Sequence, residues 1–224
     1  VVFDFDGTLM DSETPVFESA RAALATMGHD LTVEDWAVCI GVGDRAGLAL
    51  LAERLGAPID RDRFDAAFAD QDDTWRTTQP ATAGAVALVE ALAADGVPMG
   101  VASSSTARWV DGCLDRLGLL DRMTVVSTID RVGGRGKPAP DTYLAACERL
   151  GVDPRATIAI EDSAPGIAAA TAAGLVTVVV PSPITVHTDL SGADHVVGSL
   201  ADLDVATLGG LVAARLGGPE NPAP

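Results

Sequence analysis

Lysine is nearly missing from this chain: of 15 basic residues, every one but Lys137 is arginine. Positive charge is scarce altogether. Against 32 acidic residues the formal net charge is −17, which excludes the basic surface that nucleic acid or an anionic membrane would need. Cysteine is sparse too. Cys39, Cys113 and Cys147 are isolated, odd in number and without metal-ligand spacing, so a disulfide framework is excluded and buried thiols in a reducing compartment are expected. The histidines His29, His187 and His195 are scattered far from any acidic cluster, and none is assigned to catalysis. No apolar run reaches the roughly 18 residues that span a bilayer. No basic segment with a cleavage site precedes the first apolar run, and a cytoplasmic location is expected.

What is present is concentrated at a few points. The chain opens Val1-Val2-Phe3-Asp4-Phe5-Asp6-Gly7-Thr8, an apolar strand ending in two carboxylates one residue apart. Residues at i and i+2 of a strand share a face, so Asp4 and Asp6 project together where open α/β sheets bind ligands. A polar strand-to-turn connection is the alternative. The single lysine lies in Gly136-Lys137-Pro138-Ala139-Pro140-Asp141, a loop stiffened by two prolines. Its compact ammonium can touch a carboxylate and a phosphate oxygen together, or simply be solvated. Ala156 to Ile160 end in Glu161-Asp162-Ser163, an acidic pair that suits either a helix N-terminus or a Mg2+ ion. Val97 to Ala102 end in Ser103-Ser104-Ser105-Thr106, hydroxyls that fit a phosphate cradle or an ordinary N-cap.

Periodicity organises the rest. Helical spacing predicts helices near 14–27, 33–39, 44–55 and 60–78, with Val16, Ala20, Ala23, Leu24 and Met27 on one face. From Pro80 onward helices at 84–94, 106–118, 140–150 and 165–173 alternate with strands at 97–102, 123–127, 156–160 and 175–180. A last strand is expected at 193–197, a helix at 203–216 and a frayed tail at 217–224. Such alternation predicts a parallel sheet covered by helices on both faces.

Four strand ends thus carry Asp/Asp, Ser, Lys and Glu/Asp in that order. The set resembles the haloacid dehalogenase-like hydrolase superfamily, through Asp4-Phe5-Asp6-Gly7-Thr8, Ser103, Lys137 and Glu161-Asp162. It is most similar to the branch holding sugar phosphatases and β-phosphoglucomutase, through Asp11-Ser12-Glu13, Gly136 to Asp141 and Glu161 to Gly166. The resemblance implies an α/β fold with a doubly wound, Rossmann-like core (1–13 and 79–216) and an inserted helical cap (14–78). It also implies a Mg2+-dependent phosphatase of a small phosphate monoester, a sugar or polyol phosphate, acting as a monomer without nucleic acid or membrane. By the same resemblance Asp4 is the nucleophile and Asp6 the general acid and base. Asp4, Asp6 (through its carbonyl), Glu161 and Asp162 hold the metal. Thr8, Ser103, Ser104 and Lys137 hold the phosphoryl oxygens, and the cap loop directs Arg45 toward the substrate.

Asp6 argues against dehalogenation, since dehalogenases lack the second aspartate. A phosphomutase would need a second phosphate grip; β-phosphoglucomutases place a histidine where this chain has Val16 and a lysine where it has Thr106. Arg45 or Arg108 are the available substitutes. Mutase action and a non-catalytic phosphate-binding scaffold remain the alternatives. Trp109, three residues into its helix, is read as core, with pocket lining the other option.

Overall fold

The computed structural model describes residues 1–40 and 44–217, the side chains of residues 44–46 excepted. The side chain of Arg45 and residues 218–224 of the expected 217–224 tail lie outside the described residues, and Gly217 is instead the last residue of the final helix.

Strands β1 (Val2–Phe3), β2 (Gly100–Ser103), β3 (Val125–Thr128), β4 (Ile158–Glu161), β5 (Val176–Val179) and β6 (His195–Val196) form one parallel sheet in the order β3-β2-β1-β4-β5-β6. The helices are α1 (Glu13–Ala25), α2 (Val33–Trp36), α3 (Asp44–Leu55), α4 (Arg61–Ala69), α5 (Trp75–Thr78), α6 (Ala85–Ala94), α7 (Ala107–Arg116), α8 (Asp141–Leu150), α9 (Ala164–Ala173) and α10 (Val205–Gly217). The chain builds outward from β1 through β2 to β3, then returns to the other side of β1 for β4. That reversal opens a crevice beside β1, where ligands of open α/β sheets bind.

The register sets the site. Val2 pairs with both Gly100 and Ala159, and Phe3 with both Val101 and Ile160. The carboxyl ends of β1, β2 and β4 therefore fall within two residues of one another in register, although the sequence separates them widely. Alternate residues face opposite layers: Phe3, Val101 and Ile160 pack with Leu88, Val110 and Leu208, while Val2, Ala102 and Ala159 pack with Tyr143, Ala146 and Ala169. Burial on both faces explains why β1, β2 and β4 are apolar up to their last residues.

Helices α1 to α4 pack together, with Phe17, Ala20, Leu24, Leu31 and Leu51 in one apolar cluster joined by Ile184 from beyond β5. Val16, expected on the buried face, is only half-buried and lines a cavity instead. The helix expected over 60–78 is broken into α4 and α5. Asp72 accepts the Thr74 N–H at 2.9 Å, a local side-chain bond that competes with helical pairing. The strand expected at 97–102 starts only at Gly100, because Pro98 has no N–H to give the ladder. No described helix is long and apolar enough to cross a membrane.

Candidate active site

Pairing with β4 carries past the end of β1: the Asp4 N–H donates to the Ile160 carbonyl at 2.8 Å. This delivers the Asp4 carboxylate to the acidic pair that ends β4. One oxygen each from Asp4, Glu161 and Asp162 lie within 4.8 Å of one another, and all three residues are buried. Two glycines make room for them. A Cβ on Gly7 (φ +83°) would collide with the Asp162 carboxylate, and one on Gly166 with the Glu161 carboxylate.

Lys137 enters this cluster from its proline-flanked loop, with its side chain 6% exposed. Its ammonium donates to Asp4 Oδ1 and, at 2.5 Å, to Glu161 Oε1. Burial alone would favour the neutral amine, but Asp4 and Glu161 outweigh it and raise the lysine above its ordinary value. The loop is tied to the end of β2 by its backbone: the Lys137 N–H donates to Ser104 Oγ at 2.9 Å.

Glu161 is fully engaged. Its Oε1 accepts from Lys137 and from the Tyr143 hydroxyl at 2.6 Å, and its Oε2 from the Asp162 N–H at 3.2 Å and Ser163 Oγ at 3.3 Å. Asp162 is the opposite case, for its Oδ2 is buried without any hydrogen-bond partner. Desolvation, then neighbouring carboxylates (Asp4 and Glu161), push Asp162 well above the usual carboxylate range. Desolvation likewise raises Asp4, against the opposing pull of Lys137. Three carboxylates sharing one ammonium leave surplus negative charge, and a buried carboxylate oxygen without a donor can serve as a metal ligand. Both features fit a hard divalent cation with oxygen ligands.

Asp6 stands apart from this cluster. Its Oδ1 accepts from Ser12 Oγ at 2.8 Å and from the Trp109 indole N–H at 2.9 Å, and its Oδ2 from Ser105 Oγ at 2.6 Å. Ser103 is buried at the end of β2, where its Oγ accepts the Ser105 N–H at 2.9 Å. Asp4, Asp6, Ser103, Ser104, Lys137 and Asp162 all line one cavity of about 880 Å³. Thr8 is buried with its hydroxyl unpartnered, and is not among the cavity's lining residues. The opposite wall comes from α1, α3 and α4, with Val16, Leu48, Leu51, Phe64 and Phe68.

The sequence does not show the part Tyr143 plays, nor the contacts that Ser12, Ser105 and Trp109 make with Asp6. Tyr143, the chain's single tyrosine, is wholly buried beneath Glu161. Ser12 and Ser105 hold Asp6, and Trp109 packs against the core and is also a donor on the cavity wall. The fact that Trp109 bonds Asp6 depends on the packing of α7, which local spacing does not reveal.

Glu13, on the first turn of α1, also lines the cavity. Burial first, then Asp6 and Asp11, push its carboxyl up to about 7. An acid whose folded pKa is raised costs stability progressively as pH climbs from its unfolded value to its folded one, and the loss then levels off. Glu13→Gln should therefore raise the Tm of metal-free protein by roughly 2–4 °C at about pH 8 and leave it unchanged at about pH 4. Thermal unfolding at the two pH values checks this; equal shifts at both would contradict it.

Residues 1–180 match the family described as haloacid dehalogenase-like hydrolase. The Bacillus subtilis protein YhcW is 33% identical over 211 residues, covering 93% of this chain and 94% of its own length. The phosphorylated carbohydrates phosphatase of Thermotoga maritima is 31% identical over 176 residues, 78% of this chain and 81% of that protein. In solved structures, a HAD family hydrolase of Deinococcus radiodurans with bound phosphate and sodium is similar at TM-score 0.77 and 31% identity, over 94% of this chain and 95% of that one. With its buried acids, its lysine and its doubly wound sheet arranged in this way, the chain belongs to the haloacid dehalogenase-like hydrolases.

Proposed function

We propose that the protein is a Mg2+-dependent phosphatase that hydrolyses a small phosphate monoester, a sugar or polyol phosphate, through a phosphorylated Asp4. One observation carries the reading: the buried Lys137 ammonium bridges Asp4 and Glu161 beside an Asp162 oxygen that has no partner. Asp4 and Asp162, with the Asp6 carbonyl, would hold Mg2+. Glu161, already occupied by its donors, anchors Lys137 and serves the ion indirectly. When bound, Mg2+ supplies charge neutralisation for the acids and the phosphoryl oxygens.

The chain's own groups then divide the work. Asp4 attacks phosphorus, a role open to a carboxylate. Lys137, Ser103 and Ser104 hold the phosphoryl oxygens, so that positioning and electrostatics supply most of the acceleration. Asp6 gives its proton to the departing alkoxide, then takes one from the water that frees phosphate. Residues 14–78 act as the cap, and their apolar wall excludes bulk water while the ester bond breaks. The name of the Thermotoga relative supports a phosphorylated carbohydrate as substrate. The negative net charge speaks against nucleic acid or an anionic membrane as partner, and the free cysteines support a reducing, cytoplasmic setting.

A panel of hexose, pentose and polyol phosphates with Mg2+ tests the proposal. Release of inorganic phosphate is expected, lost with chelator and restored with Mg2+. Conversion to an isomeric ester without phosphate release would establish a mutase instead. No turnover of any ester would leave a binding scaffold.

A further inference from the structure

Asp6 makes an asymmetric set of bonds. Its Oδ1 meets the Trp109 indole N–H and Ser12 Oγ, and its Oδ2 meets Ser105 Oγ alone. A hydroxyl can donate or accept, so Ser12 and Ser105 adapt to either protonation state of a carboxyl group. An indole N–H only donates. The oxygen that faces it must stay an acceptor.

Trp109 is itself held firmly. Its ring meets Phe5 edge-on at 6.5 Å and Trp75 at 6.0 Å between centroids. The Arg76 guanidinium lies 5.6 Å from its centroid and 4.8 Å from that of Trp75. Such edge and cation contacts fix a ring's orientation as well as its position. Trp75 and Arg76 belong to α5, which follows α4 in the chain, and both line the cavity.

From this arrangement we infer that Trp109 is a positioning residue for proton transfer: its N–H reserves Asp6 Oδ1 as an acceptor, so Oδ2 is the oxygen that carries and delivers the proton. The inference rests on the phosphatase reading above. In the first step the Asp4–phosphorus bond forms, the bond from phosphorus to the ester oxygen breaks, and the proton on Oδ2 passes to that oxygen. In the second, Oδ2 takes a proton from the attacking water while the Asp4–phosphorus bond breaks. Without the indole only Ser12 and Ser105 hold the carboxyl, hydroxyls that suit either protonation pattern, and the proton is shared between the two oxygens.

Trp109→Phe keeps a ring in the same nest and deletes the N–H. p-Nitrophenolate leaves readily without a proton, whereas a sugar or polyol alkoxide needs one. In the variant, the ratio of kcat/KM for p-nitrophenyl phosphate to kcat/KM for the wild type's best hexose or polyol phosphate should rise about tenfold, a fraction of what general acid catalysis supplies. The loss on the alkyl ester should fall in kcat rather than KM. An unchanged ratio would overturn the inference while leaving the phosphatase reading intact. If the wild type releases phosphate from neither ester, the phosphatase reading fails first. Should Trp109→Phe not fold, the indole N–H of the wild type can be followed by NMR against Asp6→Ala. A change in the chemical shift and solvent exchange of one indole N–H supports the bond, and three unchanged tryptophan signals would refute it.

Discussion

Asp4→Asn protein should fold normally and release phosphate at least ~10³-fold more slowly than wild type from every ester the wild type accepts. Asparagine keeps the size of the side chain and an oxygen that can accept from Lys137. What disappears is the anionic nucleophile. The substitution also removes one of the carboxylates that share a single ammonium, so metal-free Asp4→Asn protein should be at least as stable as wild type. Phosphate release in single turnovers, paired with thermal unfolding in chelator, measures both. A variant that retains a tenth of wild-type turnover would remove Asp4 from the chemistry.

Lys137→Met is expected to be the most damaging change to the fold. It leaves Asp4 and Glu161 buried without their cation, and breaking a buried ion pair typically costs about 3–5 kcal/mol. The pH dependence has a definite sign. Burial already raises Asp4 above the usual carboxylate range, and removing the ammonium raises it further. An acid raised in the folded state loses stability as pH rises, so the penalty should be largest near about pH 8 and shrink toward about pH 5. Denaturant unfolding at both values, with and without Mg2+, gives the comparison. Mg2+ should recover part of the loss, because it answers the same surplus charge. A variant as stable as wild type at about pH 8 would mean that the Lys137 pair contributes no net stability.

Apart from Lys137, the parts of this site that are legible in the sequence lie at the ends of apolar runs. Asp4, Ser103 and Glu161 follow strands whose burial on both faces excludes polar residues, so the first polar residue marks the sheet's edge. Sheet order cannot be seen this way, since the neighbouring ends of β1, β2 and β4 come from register across long separations. Lys137 was visible because the chain uses arginine elsewhere. Its contact with Glu161 was not, nor was Tyr143 below that carboxylate, because a buried hydroxyl on a helix reads as packing until its partner is known. Trp109 packs against the core, as an aromatic in a first helical turn suggests, and lines the cavity as well; its bond to Asp6 depends on tertiary packing that local spacing does not reveal. The helix expected over 60–78 ends at Ala69, and the Asp72–Thr74 side-chain bond shapes the turn that follows. The role of Arg45 lies beyond the described residues.

The central claim is that phosphate passes through Asp4, and the stereochemistry at phosphorus tests it most directly. An ester chiral at phosphorus through oxygen isotopes, hydrolysed in isotopically labelled water, should yield phosphate with net retention, since each of two in-line displacements inverts the centre. Net inversion would mean that water attacks the ester directly, and would contradict a phosphorylated Asp4.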